Sequence, residues 1–165
     1  MASMKYMILF VCNGNVWRSQ LAEYYFNKLF KNKESASAGL SDRWMGKTVK
    51  DVLSILHDTK PLLPWLHATG IHIEDNQCKT VTKDMVDGSA IIFVFDSVLL
   101  DEMKKRFPEA SDRVVMLGKF AGLAQPEIPN TLNMGMNAHI AAAEKVRSAM
   151  ETIERRGLIA RYLRT

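Results

Sequence analysis

The sequence predicts an α/β fold: a doubly wound, four-stranded parallel sheet in three layers, with helices on both faces and an anion-binding loop after the first strand. Three observations carry this. Residues 6–11 and 89–95 are apolar runs without the alternation of half-exposed strands, so they read as strands buried on both faces. Segments with helical apolar spacing follow them, and strands alternating with helices imply parallel pairing. The 165 residues, 47% hydrophobic and 24% charged, suffice for one domain spanning 1–165 with a sizeable core. A second methionine at Met4 makes residues 1–3 a candidate alternative start.

Each element has its own justification. The first strand, 6–11, stops abruptly at a polar, glycine-containing turn. A helix begins at Ser19, where Leu21, Ala22, Tyr25, Phe26, Leu29 and Phe30 recur at helical spacing, and Glu23 sits early, where a carboxylate suits the macrodipole. Residues 35–38 form a weaker strand. Residues 49–56 and 65–68 read as a helix broken by Pro61 and Pro64 and closed by Gly70. After the strand at 89–95, Ser97 is the expected N-cap of a helix through Arg106, which Pro108 stops. Residues 113–117 make the fourth strand. Residues 119–135 form a long loop with Pro and Gly, of the kind that often carries function, before a last helix over 137–156.

Composition excludes several classes. Only Cys12 and Cys78 are cysteines, so a disulfide scaffold is not expected and a reducing cytoplasm is. The apolar run 90–95 is far short of the roughly 20 residues of a membrane span, and 7–12 is too short for a signal-peptide core. The net charge of +4 is mild. Arg147, Arg155, Arg156, Arg161 and Arg164 read as a solvated helix face and tail, so neither nucleic acid nor membrane is an expected partner. His57, His67, His72 and His139 lack ligand spacing; no metal and no cofactor are expected.

The chemistry concentrates at Cys12-Asn13-Gly14-Asn15-Val16-Trp17-Arg18-Ser19, between the first strand and the first helix. A tight turn there aims backbone N–H groups of residues 13–18 inward, and the helix N-terminus adds partial positive charge. Arg18 can hold two oxygens of a tetrahedral phosphate. The same features favour the thiolate of Cys12, its nucleophilic form, and the Ser19 hydroxyl can add a hydrogen bond. Gly14 and Asn15 tolerate the backbone angles of such a turn. A buried structural cysteine with a surface arginine is the competing reading, and the strand-to-helix junction favours the cradle.

These residues resemble the low-molecular-weight protein tyrosine phosphatases, whose signature is an apolar strand, Cys-x-Gly-Asn-x-x-Arg-Ser, then Ala-Glu, here Ala22-Glu23. The likeness continues through Ser37-Ala38-Gly39, Gly46, Gly70-Ile71, Val81-Thr82, Phe93-Val94-Phe95-Asp96-Ser97 with Leu100, and Glu127-Ile128-Pro129, so it covers nearly the whole chain. The resemblance implies hydrolysis of phosphotyrosine through a cysteinyl-phosphate intermediate, with Cys12 as nucleophile and Arg18 and Ser19 assisting. A phosphotyrosine protein or small aryl phosphate would be the substrate and phosphate the bound oxyanion. It also places Arg43 and Trp44 on the substrate-lining loop.

The chain departs from that pattern in places that matter. The family's late loop carries an Asp-Pro pair whose acid protonates the departing phenolate; here that position is Asn130, followed by Thr131 and Leu132. An amide donates no proton usefully, a positioned general acid is worth roughly 100- to 10,000-fold, and tyrosine with a pKa of about 10 is a poor leaving group. Slow phosphotyrosine turnover is therefore expected unless another residue, such as Glu127, substitutes. The family's second cradle cysteine is Trp17 here, and its supporting histidine is replaced by Asn76-Gln77-Cys78-Lys79, leaving Cys78 a structural residue. Three other readings stay open. An arsenate reductase needs relay cysteines beyond Cys78, and a non-catalytic phosphate-binding module fits Asn130 but not the complete cradle. A nucleotide site at Gly46-Lys47-Thr48 lacks the required glycine five positions earlier, where Ser41 stands.

Overall fold

Met7–Cys12 is strand β1, buried from Ile8 onward, in a computed structural model that describes residues 7–31 and 34–163. Tyr6, expected to open that strand, the candidate alternative start at 1–3 and Arg164 lie outside the described residues. The chain continues through α1 (Arg18–Phe30), β2 (Ser35–Gly39), α2 (Val49–Ile55), α3 (Leu62–Thr69), α4 (Lys83–Asp87), β3 (Ser89–Val94) and α5 (Ser97–Arg106). A short 3-10 helix at Pro108–Arg113 leads to β4 (Val114–Met116), α6 (Leu117–Phe120), α7 (Met136–Arg155) and a last 3-10 turn at Ala160–Tyr162.

The four strands pair entirely in parallel, in the order β2-β1-β3-β4. The two most apolar strands take the centre, where Phe10 stacks on Phe93 at 5.6 Å, because only a strand covered on both faces can be apolar throughout. Ser35-Ala36-Ser37 and the three-residue β4 take the edges, which suits short or partly polar strands. From β1 the chain runs to β2 on one side and later to β3 on the other. At such a reversal the connections leave in opposite directions and open a crevice beyond the carboxyl ends. Cys12 ends β1 at that crevice.

Helix α1 buries Leu21, Ala22, Tyr25 and Phe26, with Phe26 6.0 Å from the Phe10 ring, and packs against α7. Ala142, Ala143, Val146, Ala149, Met150 and Ile153 form the buried stripe of α7, recurring at three- and four-residue spacing.

Four local expectations change. The N-cap before α5 is Asp96, not Ser97: its Oδ1 accepts from Leu99 N at 2.8 Å, while Ser97 is the first helical residue. Glu23 lies outside the first turn of α1 and accepts instead from Ser37 Oγ of β2 at 3.1 Å. Burial pushes its carboxyl up despite that bond and the nearby Lys79. The broken helix is two helices: Pro61 precedes α3 and Pro64 sits inside its first turn, where no backbone donor is needed. Gly70 closes it with φ 72°. Two short helices, α4 and α6, were invisible to periodicity because five and four residues span little more than one turn.

Candidate active site

Residues 12–18 fold as the carboxyl end of β1 meets α1. Asn15, fully buried, takes φ 57° and so supplies the left-handed step of the turn, while Gly14 has no positive φ. Gly14 is needed for proximity: a Cβ there would lie 3.1 Å from the Trp44 ring. Gly39, at the end of β2, backs the turn so tightly that a Cβ would sit 2.7 Å from the Asn13 carbonyl oxygen.

Polar contacts converge on the thiol. Ser19 Oγ lies 2.9 Å from Cys12 Sγ, and Asn15 N donates to Sγ at 3.3 Å. Asn15 Nδ2 donates to Ser19 Oγ at 2.8 Å, leaving that hydroxyl's proton free to point at sulfur. Asn15 Oδ1 accepts from Lys79 N at 2.8 Å and Gln20 Nε2 at 3.2 Å, and Gln20 Oε1 accepts from Asn76 Nδ2 at 3.1 Å. Gln20 and Asn76 thus brace the cradle where the family pattern uses a histidine. No side chain caps α1 and its first turn holds no acidic residue, so its amide donors meet no competing carboxylate.

Arg18 is buried, and its Nη1 donates to Asp96 Oδ2 and to the Ile128 carbonyl, each at 2.8 Å. Both partners hold one terminal nitrogen, which fixes the guanidinium plane and leaves its other donors for an oxyanion. Asp96 thereby caps α5 with one oxygen and holds Arg18 with the other. The sequence signal for it was an acid closing an apolar strand, without any hint of the arginine.

A cleft opens over the cradle, lined by Cys12, Asn13, Gly14, Val16, Trp17 and Arg18 together with Trp44, an apolar patch from α2, and residues 130–132 with His139. Most of the expected site residues meet there. Arg43 is exposed and not among the residues lining it, its guanidinium standing 4.5 Å from the Trp44 ring. Asn130 lines the cleft, and its Oδ1 accepts from Leu132 N at 3.1 Å. Glu127 is committed elsewhere, its carboxylate accepting from Ser97 N at 3.0 Å at the start of α5.

Cys78 is buried, and burial together with the charge of Cys12 pushes its thiol up to about 11. Such a thiol is protonated at neutral pH and inert as a relay nucleophile. The Gly46-Lys47-Thr48 segment is a turn in which Thr48 caps α2, accepting from Asp51 N at 3.2 Å. Among the described residues no helix is long and apolar enough to cross a membrane, and no cluster of His, Cys, Asp and Glu is arranged to hold a metal.

Comparison with known proteins agrees with this fold. The chain superposes on Wzb from Vibrio vulnificus, solved with benzylphosphonate, with a TM-score of 0.75 at 24% identity over 93% of this chain and 99% of that one. For the tyrosine phosphatase Wzb from Escherichia coli, solved with sulphate, the TM-score is 0.76 at 19% identity, over 93% and 99%. The arginine phosphatase YwlE from Geobacillus stearothermophilus gives 0.74 at 23% identity, over 97% and 99%. At these identities the likeness shows the shared fold. None of the curated proteins compared with the chain by sequence matches it. The profile of the low molecular weight phosphotyrosine protein phosphatases matches residues 7–158, nearly the whole described chain, and the chain therefore belongs to that family.

Proposed function

We propose that the protein hydrolyses aryl phosphomonoesters, phosphotyrosine among them, through a phosphate ester formed on Cys12. The observation that carries this is the placement of Cys12 Sγ under donors from Ser19 and Asn15, beside Arg18, at the floor of an open cleft. The thiolate attacks phosphorus, Arg18 and the amides of the turn hold the equatorial oxygens, and the ester oxygen departs. Water then attacks the phosphocysteine, and the donors to sulfur make the thiolate a better leaving group.

The walls of the cleft favour a flat aromatic substrate over a guanidinium. Trp44, Val16, Leu56 and Leu132 are apolar, and no residue lining it is acidic. A phosphoarginine side chain arrives with a guanidinium that a carboxylate would recognise. Asn130 supplies no proton in this reading, so a basic leaving group departs unaided unless another group of the cleft protonates it.

The test is phosphate release from phosphotyrosine, phosphoarginine and aryl phosphates by the wild type and Cys12→Ser. The expected result is release from the aryl esters that drops on the order of 10⁵-fold in the variant, with phosphate trapped on Cys12 by rapid acid quench. Release that survives Cys12→Ser, or a preference for phosphoarginine, overturns it.

A further inference from the structure

Trp17 in the cradle and Thr131, the residue after Asn130 in the late loop, meet at one residue, His139. Trp17 Nε1 donates to the His139 carbonyl at 2.8 Å, and its ring lies 6.2 Å edge-on from the His139 imidazole. His139 is 5% exposed and lines the same cleft as Cys12. Its Nδ1 is 2.7 Å from Thr131 Oγ1, and Thr131, next to Asn130, lines that cleft too. Its Nε2 is buried without a hydrogen-bond partner, and the nearest carboxylate oxygen, Asp58 Oδ2, stands 3.5 Å away. The same Asp58 oxygen accepts from Gly135 N at 3.4 Å. A carboxylate, an imidazole and a hydroxyl thus follow one another, and the last two line the cleft that holds Cys12.

We propose that Thr131 is a catalytic residue that protonates the leaving oxygen, and that His139, hydrogen-bonded to its hydroxyl, refills it. The inference rests on the phosphatase reading above and concerns the same cleft. In the first step the S–P bond forms and the P–O ester bond breaks. The leaving oxygen takes the Thr131 hydroxyl proton, and Thr131 Oγ1 takes the Nδ1 proton of the imidazolium. His139 is left neutral with its remaining proton on Nε2, facing Asp58. In the second step water attacks phosphorus and the S–P bond breaks. The water's proton goes to Thr131, and the hydroxyl proton returns to Nδ1. Protons balance over the cycle with water as the sole co-reactant.

The arrangement has the logic of a hydroxyl, imidazole and carboxylate in series. Here it runs toward proton donation instead of nucleophile activation. Trp17 adds a mechanical link, because its indole ties the cradle to the turn of α7 that carries His139. A purely structural role for the same contacts would pin the 126–135 loop to α7, and the two roles separate experimentally.

The experiment measures kcat across aryl phosphates from acidic nitrophenols to phenol, for the wild type, His139→Asn, Thr131→Val and Thr131→Ser, in both the native and the Asn130→Asp backgrounds. With phenyl phosphate, His139→Asn and Thr131→Val are expected to lose about 100-fold, the scale of a general acid, with less than about threefold lost on dinitrophenyl phosphate. Thr131→Ser should recover most of the loss. In the Asn130→Asp background the carboxylic acid takes over and the cost of His139→Asn should shrink to a few-fold. A loss uniform across leaving groups, or undiminished beside Asn130→Asp, overturns the relay. Should His139→Asn fail to fold, the Thr131 pair decides by the same slope. Absence of any Cys12-dependent turnover in the wild type instead defeats the phosphatase reading, and the relay with it.

Discussion

The cradle at 12–19 and the late loop at 126–135 face each other across one cleft, yet they are built differently. In the cradle, Asn15, Ser19 and Gln20 are buried and joined to one another and to Lys79 and Asn76 by hydrogen bonds. In the loop, Asn130 is exposed and its side chain bonds only two residues along its own chain. Ile128 is the loop's anchor, buried, with its N–H on Phe95 O at 2.8 Å and its carbonyl on Arg18. Oxyanion binding therefore rests on a network in which each member constrains the next. In the proposed mechanism leaving-group chemistry sits on a segment whose exposed positions accept a changed side chain at little structural cost.

After Cys12→Ser, the largest effect expected on the cradle side is that of Arg18→Lys. A lysine ammonium cannot satisfy Asp96, the Ile128 carbonyl and two phosphate oxygens from one nitrogen, and the planar fork is lost. The expected loss is roughly 100- to 1,000-fold in kcat, the scale of removing a preorganised donor to a developing anion. The drop should be similar for acidic and basic leaving groups, since Arg18 serves the phosphoryl group. Steady-state kinetics on two aryl phosphates check it, and a loss under tenfold would put the phosphate elsewhere.

Glycine substitutions sharpen the comparison at the next scale. Alanine at Gly39 would place a Cβ 2.7 Å from Asn13 O and 2.9 Å from Asn15 N, both backbone atoms of the cradle. Alanine at Gly118 would place one 2.1 Å from the Pro126 carbonyl oxygen, where the late loop begins. Each must shift main chain, at a cost of about 1–3 kcal/mol. Their kinetic signatures should differ: Gly39→Ala lowers turnover for every leaving group, whereas Gly118→Ala spares the acidic ones. Thermal melts and the leaving-group series read both, and identical slopes would mean that the two regions do not divide the chemistry.

The same division governs how much the sequence disclosed. Cys12, Arg18 and Ser19 were legible because they are contiguous and the turn that joins strand to helix orders them locally. The sheet was legible because burial on both faces makes β1 and β3 continuously apolar. Gln20 was passed over because its role depends on Asn76 and Gln77 arriving from 56 and 57 residues away. Asp58, Thr131 and His139 come from three segments, and a histidine without ligand spacing carries no signal in one dimension. The stacking of Arg43 on Trp44 carries no sequence signal beyond their adjacency.

The smallest effect concerns α1 just behind the cradle, where Glu23 is pushed up by burial although Ser37 donates to it and Lys79 attracts its charge. A carboxyl raised in the folded state binds its proton more tightly there than in the unfolded chain. The folded state then holds more protons than the unfolded one as pH climbs past the ordinary value of 4.5, so Glu23's contribution to stability falls through that window. Glu23→Gln keeps the shape and removes the titration. Its stability relative to wild type should improve as pH rises from about 4.5 toward the raised value and then level off, read from urea midpoints at a series of pH values. Because Glu23 touches β2 and not the cleft, kcat should stay within about twofold. Parallel stability curves would mean that Ser37 and Lys79 together offset the burial; a large fall in kcat would mean that strain behind α1 reaches Cys12, and the cradle would then be less self-contained than its hydrogen bonds imply.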